Sequence, residues 1–347
     1  MATSRKKLLL IYTGGTIGMI QSKEDGSYIP FDFGKIDEQF PEINRFGIDI
    51  DFKSFSPLLD SSNIGPKQWI QIARAIGKEY NNYDGFVVMH GTDTMAYTGS
   101  ALSFMLEGLA KPVILTGAQL PMNEIRTDAR ENLITAIEIA AHPDSPIREV
   151  GIYFEYTLLR ANRTKKTHAD VFSAFGSPNF TPLVNAGVHL RFRHPTPEDA
   201  FTNSYFQAHE NLELNIGNAR FYPGLNSETL SSILLHPQTK GIILQSYGSG
   251  NLPTDPELID LIQQSVNMGK ILLNITQCNG GFVEMGRYAT SQELMKVGVM
   301  GGADLTFEAA LTKMMYLMGK YEDLDKVRYY LVRNIRGEMT AERAYTN

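Results

Sequence analysis

Short apolar runs alternate with segments of helical period along most of the chain, and this alternation constrains the fold more than any other feature. The runs are too short for helices and are rich in Val, Ile, Leu and aromatic residues: Lys7–Tyr12, Gly85–Met89, Pro112–Leu115 and Val150–Tyr156. Between them, apolar residues repeat at helical spacing in three segments, Pro66–Tyr80, Thr94–Leu109 and Thr127–Ala141. Parallel strands need a crossover between them, so strand and helix in turn predict an α/β fold with a parallel sheet covered on both faces.

The alternation breaks once and then resumes. A polar, proline-bearing stretch without clear period interrupts it, and beyond that stretch we predict two more strands and three helices: Gly241–Gln245, Asp255–Asn267, Ile271–Thr276, Asp304–Met318 and Glu322–Val332. A chain of 347 residues is long enough for about two domains. We therefore predict a parallel-sheet N-terminal domain over residues 1–190, a linker over 191–216 and a smaller α/β C-terminal domain over 217–347.

Charge and composition exclude several classes of protein. The 32 Lys and Arg and the 38 Asp and Glu leave a net charge of −6. A negative charge opposes binding to phosphate backbones, so we expect no nucleic-acid partner. The single cysteine, Cys278, can form neither an internal disulfide nor a cysteine-based metal cluster. The apolar run Leu8–Tyr12 is shorter than the core of about seven residues in a secretory signal, and no window approaches the roughly 18 apolar residues of a membrane span. We expect a cytoplasmic protein with no membrane partner.

Polar residues follow the predicted strands, where open parallel sheets bind their ligands. Hydroxyls, carboxylates and lysines stand in five segments that we expect to meet on one rim of the sheet: Thr13–Gly18, Asp60–Asn63, His90–Thr94, Thr116–Gln119 and Asn162–His168.

This inventory of residues suits acyl transfer. Threonine becomes a nucleophile when a neighbour takes its proton, and a Lys–Asp pair beside a second threonine is one way to supply that base. Flanking glycines let backbone N–H groups turn toward a developing oxyanion. Phosphate binding would also use the glycines, but neither G-x-x-x-x-G-K-[ST] nor G-x-G-x-x-G occurs in the chain.

Each segment also has a purely structural interpretation. Gly14–Thr16 is compatible with a strand-to-helix turn, and Thr92 with Asp93, or Asp60 with Ser61, is compatible with a cap or a loop. Lysine pairs such as Lys165 and Lys166 are usually solvated. His90 fits a buried core histidine and Cys278 a small buried apolar residue. Five such coincidences on one rim are less probable than a site.

The motifs resemble those of a known family, the bacterial-type L-asparaginases. The matching segments are TGGTIGM, DSSN, HGTDTM, TGAQLP and NRTKKTHAD, in this order, and the TQC and MGRY segments are most similar to the cytoplasmic type I branch. The resemblance implies hydrolysis of L-asparagine to L-aspartate and ammonia through a threonine acyl-enzyme, without cofactor or metal. It also implies a homodimer or homotetramer.

The resemblance assigns roles to particular residues. Thr16 corresponds to the nucleophile and Tyr28 to a mobile tyrosine, and the second catalytic group is Thr92, Asp93 and Lys166, with Lys166 favoured over Lys165 by the T-H-A-D that follows. The residues that it implies for substrate binding are Gly15, Asp60, Ser61, Thr92, Asp93, Ala118 and, from the C-terminal domain, Asn251. Asp60 and Ser61 would hold the α-amino and carboxylate groups, Asp93 the ammonium again, and Ala118 would offer its backbone to the amide.

Two positions depart from the type I pattern, in which an arginine before S-Y-G and a threonine before the catalytic lysine contact an allosteric asparagine. Here these positions hold Gln245 and Lys165. The loss of a guanidinium removes a bidentate carboxylate partner, so we expect the rate to depend hyperbolically on asparagine.

Two other functions remain as alternatives. One is an ammonia-releasing amidotransferase subunit, whose relatives carry an extra domain before TGGT, whereas here TGGT starts at Thr13. The other is a non-catalytic amino-acid binding protein, a class that is usually exported.

A lid is expected next to the first glycine-rich segment. The Gly18–Ser27 stretch is polar and glycine-bearing, and such loops can close over a substrate. We expect it to carry Tyr28 to the site.

Overall fold

The computed structural model describes residues 5–21, 28–30, 40–194, 205–287 and 289–340. The chain divides into two compact units, Met1–Glu210 and Asn211–Asn347. Residues 22–27 of the expected lid and the side chain of Tyr28 lie outside the description.

The N-terminal unit is built on a large sheet with short accessory strands. Its strands are β1 (Lys7–Tyr12), β2 (Met19–Gln21), β3 (Tyr28–Pro30), β4 (Asp49–Ser54), β5 (Gly85–Met89), β6 (Leu106–Glu107), β7 (Val113–Thr116), β8 (Val150–Phe154), β9 (Thr157–Arg160), β10 (Lys165–Lys166), β11 (Phe175–Gly176), β12 (Val184–Ala186), β13 (Leu190–Phe192) and β14 (Gln207–Ala208). The 8-stranded sheet has the order β13-β12-β9-β8-β7-β5-β1-β4. The neighbours from β4 to β8 are parallel, whereas β9, β12 and β13 continue the sheet in antiparallel pairs.

Helices cover this sheet, and short 3-10 segments lie in the connections before and after them. The helices are α1 (Pro66–Glu79), α2 (Met95–Met105) and α3 (Ala129–Ala141), and the 3-10 segments are Thr16–Gly18, Pro41–Phe46, Ser61–Asn63 and Ala161–Arg163. Helix α1 buries one apolar face, whereas α2 is buried almost all round. None of the helices in the described part of the chain combines the length and apolar character needed to cross a membrane.

The predicted α/β class with a parallel sheet is confirmed. The strands that were predicted match the structure closely, whereas β4, β9, β12 and β13 of the large sheet were not predicted. Strands β1, β5 and β17 (Ile271–Thr276) begin and end at the predicted residues. The predicted strand Val150–Tyr156 is too long, because Glu155 and Tyr156 have φ angles of 43° and 66° and turn the chain into antiparallel β9. Helix α2 ends earlier than predicted, since the chain passes directly into β6, which pairs with β14.

The smaller C-terminal unit repeats the α/β pattern. Its strands β15 (Ile216–Arg220), β16 (Gly241–Ser246), β17 and β18 (Met300–Gly301) form a parallel sheet in that order. Its described helices are α4 (Ser227–Leu234), α5 (Pro256–Asn267), α6 (Ala289–Lys296), α7 (Phe307–Lys320) and α8 (Leu324–Leu331).

The predicted linker, residues 191–216, contains secondary structure of its own. Most of β13 falls at its start, β14 lies within it and pairs with β6, and β15 begins at its end. The limits 1–190, 191–216 and 217–347 stay a prediction, because residues 195–204 lie outside the described chain.

The strand order of the large sheet locates the candidate site. The chain leaves β1 toward β4 on one side and later returns to place β5 on the other, so the order reverses at β1. Such a switch point leaves a crevice beyond the carboxyl ends of the strands. The segments that follow β1, β4, β5 and β7 therefore converge there.

Candidate active site

Glycines let the segments that follow β1, β4 and β5 approach backbone to backbone. Gly14 has φ +127°, and a Cβ on it would overlap the backbone of Leu59. Gly15 has φ +88°, and a Cβ there would lie 2.5 Å from the Cα of Gly91. Only glycine combines this conformation with this clearance, so the two glycines are required by packing and not only by a turn.

Thr16 begins the 3-10 turn Thr16–Gly18 and is half-buried. The phenol of Tyr12 lies under this turn, donates a hydrogen bond to the carbonyl of Gly15 at 3.2 Å and occupies the space that a Cβ on Gly18 would need. Burial raises the pKa of Tyr12, which keeps its hydroxyl a neutral donor. The sequence did not indicate this role of Tyr12, because in the sequence it is simply the last residue of the apolar run that forms β1.

Asp60 and Ser61 follow β4 and differ in exposure to solvent. The Asp60 carboxylate is exposed, and its Oδ1 accepts from the backbone N–H of Ser62 at 2.8 Å and from its hydroxyl at 2.9 Å. These bonds, the backbone one first, hold the pKa of Asp60 below its usual value. Ser61 is buried, and its Oγ accepts from the N–H of Asp93 at 3.3 Å. Asp60 is thus both a cap and an ionised group on the rim.

Lys166 meets Thr92 and Asp93 on the rim. Its Nζ donates to Thr92 Oγ1 at 2.9 Å and to Asp93 Oδ1 at 2.7 Å. Lys165 and Lys166 form β10, paired with β11, and successive side chains of a strand point to opposite faces. The Lys166 side chain is mostly buried, whereas that of Asp93 is mostly exposed. The geometry therefore places one of the two adjacent lysines against Thr92 and Asp93.

The loop after β7 is held by side chains that the sequence analysis missed. The carboxylate of Asp128 accepts from the N–H of Gln119 at 2.9 Å and from that of Leu120 at 3.0 Å. Asn132 donates to Asp128 at 3.1 Å and to the carbonyl of Gly117 at 3.0 Å. Ala118, inside this loop, is buried. Both Asp128 and Asn132 fall in the predicted helical segment Thr127–Ala141. In the sequence nothing distinguishes them there from ordinary cap and surface residues.

His90 is a core histidine, in agreement with the structural interpretation. It is fully buried, and Trp69 Nε1 donates to Thr98 Oγ1 at 3.0 Å, which leaves that hydroxyl to donate to His90 Nε2 at 2.9 Å. The Nδ1–H then donates to the carbonyl of Gly91 at 2.6 Å. Burial lowers the pKa of His90 to about 4, so its ring is neutral near pH 7.

We expect His90 to make stability depend on pH. The ring binds a proton below about pH 6.5 in the unfolded chain but only near 4 in the folded one, so its contribution is complete above 6.5 and is lost as the pH falls toward 4. Between pH 7 and 4.5 this loss amounts to about 2–3 kcal/mol. Urea unfolding of wild type and His90→Gln at both pH values measures it: the variant should lose less stability on acidification. Equal losses in the two proteins would contradict the assignment.

Two of the residues that were singled out in the C-terminal unit follow strands, whereas the third, Gln245, is buried within β16. Asn251 closes the loop after β16, where its N–H donates to the carbonyl of Tyr247 at 2.9 Å. Cys278 is exposed, so its interpretation as a buried apolar residue is wrong. The reason is that β17 ends at Thr276 and the chain turns outward.

The sequence and the fold match known proteins over nearly the full length. The family model "Asparaginase, N-terminal" matches residues 7–198, and "Glutaminase/Asparaginase C-terminal domain" matches residues 215–331. L-asparaginase 1 of Escherichia coli (strain K12) is 44% identical over 342 residues, which cover 97% of this chain and 99% of that protein. The crystal structure of L-asparaginase I from Vibrio cholerae O1 biovar eltor str. N16961 has a TM-score of 0.87 at 39% identity, covering 97% of this chain and 100% of that one.

Another relative has a different function in its name. A glutamyl-tRNA(Gln) amidotransferase subunit of Pyrococcus horikoshii is 32% identical over 345 residues, which cover 95% of this chain and 76% of that protein. The resemblance inferred from the motifs is confirmed by both family models and by these relatives. The chain belongs to the asparaginase family.

Proposed function

We propose that the protein is an L-asparaginase that hydrolyses L-asparagine to L-aspartate and ammonia through an acyl-enzyme on Thr16. The observation that carries the proposal is the contact of Lys166 Nζ with Thr92 Oγ1 and Asp93 Oδ1, which unites a hydroxyl, a carboxylate and an amine. The near full-length identity to L-asparaginase 1 of Escherichia coli supports the same reaction.

The rim offers complementary charges for a zwitterionic amino acid. Asp60 Oδ1 accepts both hydrogen bonds from Ser62, and among the described residues no donor to Oδ2 is found, so Oδ2 suits an α-ammonium group. The exposed Asp93 carboxylate supplies a second contact for that group. The backbone N–H of Gly15 and the side chain of Ser61 would hold the α-carboxylate. The backbone at Ala118 would meet the side-chain amide of the substrate.

The reaction would proceed in two acyl-transfer steps. The Thr16 oxygen attacks the amide carbon and gives up its proton, and backbone N–H groups at the glycine turn stabilise the oxyanion. The C–N bond then breaks, and the nitrogen leaves as ammonia after receiving a proton. Water attacks the Thr16 ester, its proton returns to the threonine oxygen, and L-aspartate is released. Thr92, Asp93 and Lys166 form the proton-transfer unit for these steps, and Tyr28 would complete the site.

The finer assignments are part of the same proposal. We place the protein in the cytoplasm, on the basis of its single cysteine and of the similarity of its motifs to the cytoplasmic type I branch. We expect a homodimer or a homotetramer, which light scattering coupled to gel filtration would distinguish from a monomer.

Ammonia release from L-asparagine tests the proposal against its alternatives. An asparaginase turns over free asparagine, and Thr16→Ala abolishes this turnover. A non-catalytic binding protein would bind the amino acid and release no ammonia. An amidotransferase subunit would release ammonia only with its tRNA-charging partners, so turnover by the isolated protein would exclude it.

We expect a hyperbolic dependence of rate on asparagine concentration, with a Hill coefficient near one. The amide of Gln245 is buried and donates to Asn218 Oδ1 at 2.8 Å, so it is already engaged, and an amide offers a carboxylate only a neutral hydrogen bond. Cooperative activation would need a second site and two global states. Steady-state rates over a wide range of asparagine concentration measure this. A sigmoidal curve that becomes hyperbolic in Lys165→Met would show instead that Lys165 has taken over the effector contact.

A further inference from the structure

The side-chain amide of Gln119 has a defined orientation. Its nitrogen lies 3.2 Å from the carbonyl oxygen of Ala169 and 2.9 Å from that of Val171. Carbonyl oxygens only accept hydrogen bonds, so the Nε2 atom of the amide must face them and its Oε1 atom must point away.

That oxygen faces the hydroxyl of Thr92. The Oγ1–H of Thr92 donates to Gln119 Oε1 across a long contact of 3.4 Å, while Lys166 donates to the same hydroxyl oxygen at 2.9 Å. The two contacts are compatible, since the hydroxyl donates its hydrogen to the glutamine oxygen and accepts a hydrogen bond from the lysine on one of its lone pairs. Gln119 thus directs the Thr92 hydrogen away from Lys166 and keeps its lone pair toward the ammonium.

The same side chain joins two separate stretches of the rim. Ala169 and Val171 follow Lys166 by three and five residues, whereas Thr92 follows β5. The backbone of Gln119 is itself anchored by Asp128. Gln119 therefore spans the gap between the two chain segments that supply the proton-transfer unit.

We propose that Gln119 is a positioning residue for the reaction, acting through Thr92 by accepting its hydroxyl hydrogen. The inference rests on the proposed asparaginase function. It assigns to the side chain after Ala118 a role in setting the rate of the chemical step, separate from substrate binding at Asp60 and Ser61.

Three substitutions of similar length separate the acceptor role of the amide from its donor role. Gln119→Met removes both roles, Gln119→Glu keeps an acceptor for Thr92, and Gln119→Lys keeps a donor for the carbonyls of Ala169 and Val171. We expect Gln119→Met to lower kcat for ammonia release about tenfold or more, with KM within about threefold of wild type. Gln119→Glu should recover part of the lost kcat, and Gln119→Lys should recover none.

A second glutamine provides a matched control. Gln277 also donates from Nε2 to two carbonyls, those of Phe221 at 2.6 Å and Gln245 at 2.7 Å, but lies in the C-terminal unit. Gln277→Met should lower the melting temperature and leave kcat near the wild-type value. Melting temperatures of all variants separate loss of rate from loss of folding.

The outcomes distinguish the two proposals. A wild-type kcat in Gln119→Met would overturn the role through Thr92, and so would recovery of kcat by Gln119→Lys but not by Gln119→Glu. In either case the asparaginase proposal stands if the wild type is active and Thr16→Ala is not. Absence of ammonia release from folded wild type would overturn both.

Discussion

We expect Thr16→Ala to lower kcat for asparagine by a factor of about a thousand or more, because it removes the oxygen that forms the acyl-enzyme. The turn that carries Thr16 is set by the backbone of Gly15 and by the Tyr12 ring packed against Gly18, and alanine disturbs neither. The variant should therefore fold normally. Ammonia release at saturating asparagine, together with a thermal melt, measures both properties.

Thr13 is a matched control for this substitution. Its hydroxyl is fully buried and donates to the carbonyl of Met89 at 3.0 Å, so it serves the fold and not the rim. Thr13→Ala should cost about 1 kcal/mol or more in unfolding free energy while leaving turnover within about tenfold of wild type. If folded Thr16→Ala keeps more than a tenth of wild-type turnover, Thr16 is not the nucleophile.

The second large effect should separate two neighbouring lysines. Lys166→Met should abolish activity, since its Nζ is the atom that joins Thr92 and Asp93, whereas Lys165→Met should leave much of it. Methionine retains most of the apolar stem, and the Asp93 carboxylate is 64% exposed, so loss of its partner leaves no buried charge. Folding should therefore survive in both variants.

Steady-state kinetics on the two lysine variants, prepared side by side, provides the measurement. Each variant serves as the control for the other, because both lose one ammonium from the same two-residue strand. An inactive Lys165→Met beside an active Lys166→Met would transfer the proton-transfer role to Lys165.

Elements with a strong local pattern were predictable to the residue, and edge elements were not. Strand β1 is a continuous apolar run because it lies between two other strands, β5 and β4, and is buried on both faces, which is the pattern that sequence shows most clearly. Strand β4 lies at the edge of the sheet and has only intermediate or exposed residues, so no apolar run marks it. The antiparallel end of the sheet depends on the turn at Glu155 and Tyr156, whose positive φ angles are not typical of either residue.

The sequence by itself determined the fold class, the family and the residue types that stand after each strand, since period, turn residues and motif order are local properties of the chain. Only the tertiary structure decided which lysine faces Thr92, that His90 is neutral and fully bonded, and which way the Gln119 amide points. These depend on contacts between distant parts of the chain, such as the 74 residues that separate Thr92 from Lys166. Packing and hydrogen bonding across such separations arise when the sheet assembles, and no pattern within a single segment records them.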